Sequence, residues 1–337
     1  MEPTGADLIV VPGARKSGTT TLYRLLLQHD AIQGFRTSGE SNLKEPNFFA
    51  LEPEIVGQNL TWYRSLFRDG SAKYYLDASQ HYFVSPHTPD LLDRYVGRVK
   101  YIILLRDPVE RLFSDYLHQR AKVSPSERRS FEEIIESITE NSDLGIGAAE
   151  EKEIRRGHQQ GSLDLDAGEH LLERLPFQAR FQDPLITHRY LQNSLYSEHA
   201  SRFEDSRHEA LVVGLEELLA DPARAISRIF DFLGLAPEGV SLPHHNKTKL
   251  PSSVGRLYLR VTQTLRRFGP IDALLDSALL NSEWIESVKQ LVRPQQKSRE
   301  EIEQQTDEKA FVQAEELLKE EYRHWRSTRP ALTEHWK

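Results

Sequence analysis

The stretch Gly13-Ala14-Arg15-Lys16-Ser17-Gly18-Thr19-Thr20 gathers two glycines, two cations and three hydroxyls. Glycine permits dihedrals that let successive backbone N–H groups converge on one point, and a helix beginning near Thr19 adds the positive end of its dipole. Lys16 supplies a mobile positive charge, and Ser17, Thr19 and Thr20 supply hydroxyl donors. That chemistry suits a terminal phosphate. In the nucleoside-triphosphatase loop G-x-x-x-x-G-K-[ST] the lysine follows the second glycine, whereas here Lys16 precedes Gly18. A glycine-rich turn ahead of a helix is also compatible with no ligand at all.

A second concentration of chemistry lies at Arg106-Asp107-Pro108, followed by Arg111 and Ser114. Arginine offers a fork-shaped contact to phosphate that lysine does not, and the first turns of a helix after Pro108 can bring the Ser114 hydroxyl toward the same point. The competing reading is a surface Arg106–Asp107 pair that only opens a helix.

The flanking elements must hold these turns in place. Leu8 to Val11 is an apolar run that ends at Pro12-Gly13, a buried strand entering a turn, and Leu22, Leu25 and Leu26 recur at helical spacing behind Thr19. Val99 to Leu105 repeats the plan as a near-continuous apolar strand. Further strands are expected at Lys73–Leu76 and Ala210–Val213. Helices are expected at Pro89–Tyr95, Ile186–Phe203 and Pro222–Leu233, the last closed by Gly234. Alternating strands and helices imply a parallel α/β sheet with helices on both faces, and both turns then sit at its carboxyl edge, where ligands bind in such sheets. Residues 124–183 are polar, charged and glycine-punctuated, and read as an insertion or acceptor lid rather than core. Residues 253–337 read as a mostly helical C-terminal part, with Phe311, Ala314, Leu317, Leu318, Tyr322 and Trp325 on one helical face packed on the core. The whole, residues 1–337, is expected to be a single domain.

The chain has 337 residues, no cysteine and a formal net charge of −8. The missing thiols exclude disulfides, thiolate metal sites and a cysteine nucleophile, and point to a reducing compartment. The negative charge argues against a nucleic-acid or acidic-membrane partner, so anion binding must be local. No apolar run approaches a membrane span and no signal peptide is visible, so a cytoplasmic, bacterial location is expected. His244-His245 is an isolated pair and no His-Glu-x-x-His occurs, so no metal is expected.

Together the two turns resemble a family. "GARKSGTTTLYRLLLQH" is similar to the 5'-phosphosulfate loop of sulfotransferases that use 3'-phosphoadenosine 5'-phosphosulfate (PAPS), and "RDPVERLFSDY" is similar to their 3'-phosphate motif. The resemblance implies a P-loop-kinase-like α/β core in which Arg15, Lys16, Ser17, Gly18, Thr19 and Thr20 hold the 5'-phosphate and Arg106 and Ser114 the 3'-phosphate. "KEPNFFA", "NLTWYRSLF" and "YLDASQHYFVSPHTPDLL" follow the order of the heparan sulfate glucosaminyl O- and N-sulfotransferases, in which an acidic residue before a Phe-Phe pair is the catalytic base. That position is Glu45. By the same resemblance Tyr196 and Lys247-Thr248-Lys249 lie near the nucleotide. One departure is marked: where the family carries a lysine that serves the acceptor site, this chain has Ala78 within Asp77-Ala78-Ser79-Gln80-His81-Tyr82-Phe83.

The implied reaction is transfer of a sulfuryl group to an acceptor hydroxyl or amine, releasing adenosine 3',5'-bisphosphate. Lys16 would stabilise the leaving phosphate and Glu45 would take the acceptor proton. From the residues alone, Lys44-Glu45-Pro46 reads equally as an exposed turn. His81 is an outside candidate for the base, and Phe48 and its aromatic neighbours could stack on the acceptor or belong to the core. A carbohydrate acceptor is expected first and a small-molecule alcohol or phenol second. Two other readings remain: a nucleotide-dependent kinase with Asp107 as magnesium ligand, and a nucleotide-binding protein without catalysis.

Overall fold

The apolar runs that flank the two turns lie side by side in one sheet. In the computed structural model, residues 7–36, 42–67, 72–120, 127, 129–141, 189–243 and 299–336 are described. Strands β1 (Asp7–Val10), β2 (Ile32–Arg36), β3 (Asn42–Leu43), β4 (Tyr74–Asp77), β5 (Val99–Leu105) and β6 (Glu209–Gly214) are ordered β3-β2-β4-β1-β5-β6. All pairings are parallel except the antiparallel β2–β3 contact at the edge. Helices α1 (Thr19–Leu26), α2 (Pro53–Gln58), α3 (Leu60–Ser65), α4 (Thr88–Tyr95), α5 (Pro108–Arg120) and α6 (Phe131–Asn141) precede β6 together with α7 (Tyr196–Glu204). After it come α8 (Leu215–Ala220), α9 (Pro222–Leu233), α10 (Arg299–Glu303), α11 (Glu308–Leu317), α12 (Lys319–Thr328) and α13 (Pro330–Thr333).

Side chains alternate across a strand, so each central strand feeds two cores. Ile9, Val11, Leu76, Ile102 and Leu104 pack on one face with Leu22, Leu25 and Leu26 of α1 and Ile226, Ile229 and Phe230 of α9. Leu8, Val10, Tyr75, Tyr101, Ile103 and Leu105 face the other core, with α5, α7 and the C-terminal helices. This two-sided burial is why β5 reads as an unbroken apolar run rather than an alternating one. The expected α/β sheet flanked by helices is therefore present. From β1 the chain departs through α1 toward β2; from β5 it departs the opposite way toward β6. The carboxyl ends of β1 and β5 thus flank a topological switch point, which places both candidate turns at one crevice.

Several local expectations change. β2, Ile32-Gln33-Gly34-Phe35-Arg36, was not expected; a Cβ at Gly34 would lie 2.5 Å from the Tyr23 hydroxyl, so the glycine there serves a close helix–sheet approach. The helix expected over Ile186–Phe203 is a short 3₁₀ turn, Gln192–Ser194, followed by α7 after Leu195 leaves the helical region at φ −82° and ψ 71°; residues 186–188 lie outside the described residues. The single C-terminal helix is two, α11 and α12, meeting at Leu318. Within the segment expected to lie outside the core, Phe131, Ile134, Ile135 and Ile138 of α6 are buried beside Phe113 and Phe311.

Candidate active site

The loop after β1 is tied down at its start and released at its centre. The Val11 N–H donates to the Asp77 carbonyl (2.8 Å). Ala14 N–H donates to Leu104 O (2.6 Å) and Leu104 N–H to Gly13 O (2.8 Å), which clasps the loop to β5. Lys16 and Gly18 both adopt left-handed backbone, at φ 66° and φ 90°. The dihedral favours glycine at residue 18, and an added Cβ there, 2.7 Å from Leu215 Cδ1, would also have to displace that methyl. Gly18 caps α1 without a side-chain hydrogen bond to its first turn, so that turn presents its N–H groups in the manner of an anion site. The non-glycine left-handed residue is Lys16 itself, and such conformations cluster where a ligand is gripped.

Charge at this turn is predominantly positive. Burial pulls the Lys16 ammonium down to about 8; Asp115 opposes that pull, and Arg15, Arg106 and Arg111 reinforce it. An arriving dianion would relieve this crowding of cations. The expected nucleotide ligand Arg15 is engaged elsewhere: its Nε lies 3.0 Å from Asp115 Oδ1 and its side chain is almost wholly buried. Arg111 holds the other Asp115 oxygen (2.9 Å) and donates to Ser194 Oγ (2.6 Å) and Tyr190 O (2.6 Å). Burial alone would raise the Asp115 carboxyl, but Arg15 and Arg111 outweigh it and hold it below the usual range. Arg15 and Arg111 therefore form a buried frame under the loop. Ser17 and Thr19 are buried, Thr20 is exposed, and the buried Tyr196 at the start of α7 brings its hydroxyl beside that of Ser17.

The β5–α5 turn is built from side chains instead. Arg106 Nη2 donates to Glu110 Oε2 (3.0 Å), Arg299 of α10 reaches the same oxygen, and Arg106 Nε stands 3.8 Å from Glu216. Burial, then the neighbouring Arg299, lower the Arg106 pKa, with Glu110 and Glu216 opposing. Ser114 lies one helical turn beyond Glu110 and is buried. Asp107 is committed to the fold: its Oδ1 accepts the Glu110 N–H (3.0 Å), capping α5, and the Tyr322 hydroxyl (2.8 Å).

Glu45 comes to the same edge through a third turn. Its carboxylate pairs with Lys44 and accepts from Gln80 Nε2 (3.3 Å), while Lys44 Nζ also lies 3.5 Å from Thr19 Oγ1. Asn47, left-handed at φ 51°, shapes the turn; its N–H donates to Ser79 Oγ (2.8 Å), which donates to Asp77 Oδ1 (2.5 Å). Asp77 is fully buried and raised to about 7 by desolvation, against hydrogen bonds from Ser79, Tyr82 and Tyr63. Thus the end of β4 fixes the turn that carries Glu45. His81 is half-buried at a small cavity with Arg15, Gln80 and Asn193.

Phe48 corrects an expectation: it is fully buried, stacked on Tyr63 (5.0 Å between centroids) and packed on Phe49 and Trp62, so its ring belongs to the core and not to an acceptor surface. Lys247, Thr248 and Lys249 lie outside the described residues, as do His244 and His245. Among the described residues no group of three His, Cys, Asp or Glu could hold a metal, and no helix is long and apolar enough to cross a membrane.

The sequence model of the sulfotransferase domain matches residues 6–252. The chain belongs to the sulfotransferase family. Among its relatives, bifunctional heparan sulfate N-deacetylase/N-sulfotransferase 4 of Mus musculus is 27% identical over 238 residues, 68% of this chain and 22% of that protein. Heparan sulfate glucosamine 3-O-sulfotransferase 3B1 of Homo sapiens is 25% identical over 228 residues, 67% of this chain and 45% of the relative. The match therefore spans less than half the length of these relatives. A solved sulfotransferase from Alicyclobacillus acidocaldarius covers 80% of the chain and 95% of its own, at 24% identity and a TM-score of 0.47. Lys16, Glu45, Arg106, Ser114 and Tyr196 all fall within the matched sulfotransferase domain, whereas Arg299 and Tyr322 lie beyond it. Lys44, Gln80, Glu110, Asp115, Glu216, Arg299 and Tyr322 also contact the residues of these turns, and sequence reasoning assigned none of them a place there.

Proposed function

We propose that this chain transfers the sulfuryl group of PAPS to a carbohydrate hydroxyl or amine. The observation that carries the reading is convergence: the Gly13–Thr20 loop and the Arg106–Ser114 turn end neighbouring parallel strands, and Lys44 ties Glu45 to Thr19 of that loop. PAPS, as substrate, supplies a sulfuryl group on a good leaving phosphate. The loop N–H groups, Lys16, Ser17, Thr19 and Thr20 hold the 5'-phosphate; Arg106 and Ser114 hold the 3'-phosphate; Tyr196 braces Ser17.

In the reaction the acceptor oxygen or nitrogen forms a bond to sulfur as the bond from sulfur to the 5'-phosphate oxygen breaks. Glu45 takes the acceptor proton, and the electron pair leaves on adenosine 3',5'-bisphosphate. As in phosphoryl transfer, positioning and electrostatics dominate. Lys16 faces the oxygen where charge grows, which is what raises rate rather than affinity. No metal is assigned a role, and the absence of cysteine fits a reducing, cytoplasmic setting. A small neutral alcohol or phenol is the second acceptor class, favoured by Ala78 and the net charge of −8.

Incubation with ³⁵S-labelled PAPS, a glycan panel including de-N-sulfated heparin, and a panel of small alcohols tests both. Label is expected on a glycan, with chelator present. Label on no acceptor, or phosphate transfer from magnesium ATP instead, overturns the reading.

A further inference from the structure

The sulfotransfer reading assigns a base and a leaving-group cation but no acceptor-side cation, because residue 78 is alanine. The structure puts a cation there by another route. The Ala78 N–H donates to the Lys44 carbonyl (3.0 Å), so the backbone of Lys44 is pinned to the end of β4. Its side chain then turns toward the loop: Nζ pairs with Glu45 Oε1 and stands 3.5 Å from Thr19 Oγ1, at the first residue of α1. Adjacent residues seldom pair through their side chains in a regular strand, where they point to opposite faces. Here Lys44 stands at a bend just past β3 and Glu45 beyond it, so the strand alternation no longer applies and the two side chains meet. The pair is only about one-fifth exposed (20% and 19%), so water screens it weakly.

We propose that Lys44 is the acceptor-side cation of this site: it positions the Glu45 carboxylate and faces the sulfuryl group as that group moves from donor to acceptor. The proposal rests on the sulfotransfer reading. Three features of the geometry support it. Lys44 bridges Glu45 to the hydroxyl of Thr19, so it stands between the proposed base and the loop proposed to hold the donor phosphate. With Gln80 Nε2 on Glu45 Oε2 and Lys44 on Oε1, each carboxylate oxygen has one fixed donor, which leaves further lone pairs on each for an acceptor proton. And Lys16, the other lysine at this turn, sits among Arg15, Arg106 and Arg111, on the nucleotide side, so the two lysines divide the charge that develops in transfer.

The test is a ligand comparison with Lys44→Met and Lys44→Arg in the full chain. Adenosine 3',5'-bisphosphate and PAPS differ only by the sulfuryl group. If Lys44 faces that group, Lys44→Met keeps affinity for the bisphosphate within about twofold, loses about tenfold for PAPS, and lowers transfer to de-N-sulfated heparin by about a hundredfold, mostly in kcat. Lys44→Arg restores part of both losses. Equal losses for the two nucleotides with a lowered melting temperature show a structural lysine and overturn the proposal. So does wild-type transfer by Lys44→Met. Failure of the unsubstituted chain to bind PAPS overturns the sulfotransfer reading itself, and this proposal with it.

Discussion

The two strand-end turns, each proposed to grip a phosphate, are built by opposite means. The β1–α1 loop uses backbone: left-handed Lys16 and Gly18, hydrogen bonds to β5, and the uncapped first turn of α1. The β5–α5 turn uses side chains: Arg106 is suspended between Glu110 and Glu216, with Arg299 on the same Glu110 oxygen. The groups that the first turn would offer an anion lie within some ten residues of sequence, although β5 anchors its start. The second draws on α8 and α10, and on Tyr322 of α12 through Asp107. A backbone site tolerates change in distant elements but not in its own dihedrals. A side-chain site behaves the other way round.

Breaking the backbone turn should give the largest effects. Lys16→Met removes the cation proposed to face the leaving oxygen and should lower turnover about a thousandfold, measured with saturating PAPS. The same lysine sets a pH limit. Since burial lowers it to about 8, the ammonium is held below that pH and lost above it, so affinity for adenosine 3',5'-bisphosphate should fall as pH rises through about 8. Lys16→Met should flatten that limb in a calorimetric titration. Gly18→Val comes next: with φ 90° and Leu215 at 2.7 Å from the added carbon, it should cost about 2–3 kcal/mol in chemical denaturation and weaken the nucleotide more than tenfold.

How much of this contrast was visible in the sequence follows the same division. The β1 loop was legible because apolar run, glycine turn and helix start are contiguous, and each rests on local dihedral preference. The β5 turn was half legible. Arg106 and Ser114 stand in one stretch, but their environment comes from Glu216, Arg299 and Tyr322, whose proximity only tertiary packing decides. Glu45 could be singled out by family resemblance alone, since Lys44-Glu45-Pro46 has no local pattern distinguishing it from a surface turn, and Lys44 was missed for the same reason. Phe48 stayed open between acceptor surface and core because residue type shows that a ring will be covered, not by what. β2 escaped notice because Gln33, Gly34 and Arg36 interrupt its apolar pattern, and Gly34 is there for the Tyr23 contact.

The side-chain turn should fail more gradually. Arg106→Lys keeps the charge but not the fork, and should weaken adenosine 3',5'-bisphosphate about tenfold while leaving adenosine 5'-phosphate unchanged. Tyr322→Phe removes one buried hydrogen bond to Asp107 and should cost about 1 kcal/mol of stability in a thermal melt, with a loss of 3'-phosphate affinity smaller than that of Arg106→Lys. If Tyr322→Phe instead leaves both properties untouched, the dependence of this turn on the C-terminal helices is refuted.

On the proposed reading the two turns hold the two phosphates of one nucleotide without a metal. Calorimetric titration of the chain with adenosine 3',5'-bisphosphate, adenosine 5'-phosphate and ATP, each with and without chelator, tests it most directly. The bisphosphate is expected to bind at least about a hundredfold more tightly than the 5'-phosphate, and equally well in chelator. Equal affinity for the two adenosine phosphates, or tight binding only of ATP with magnesium, would contradict it.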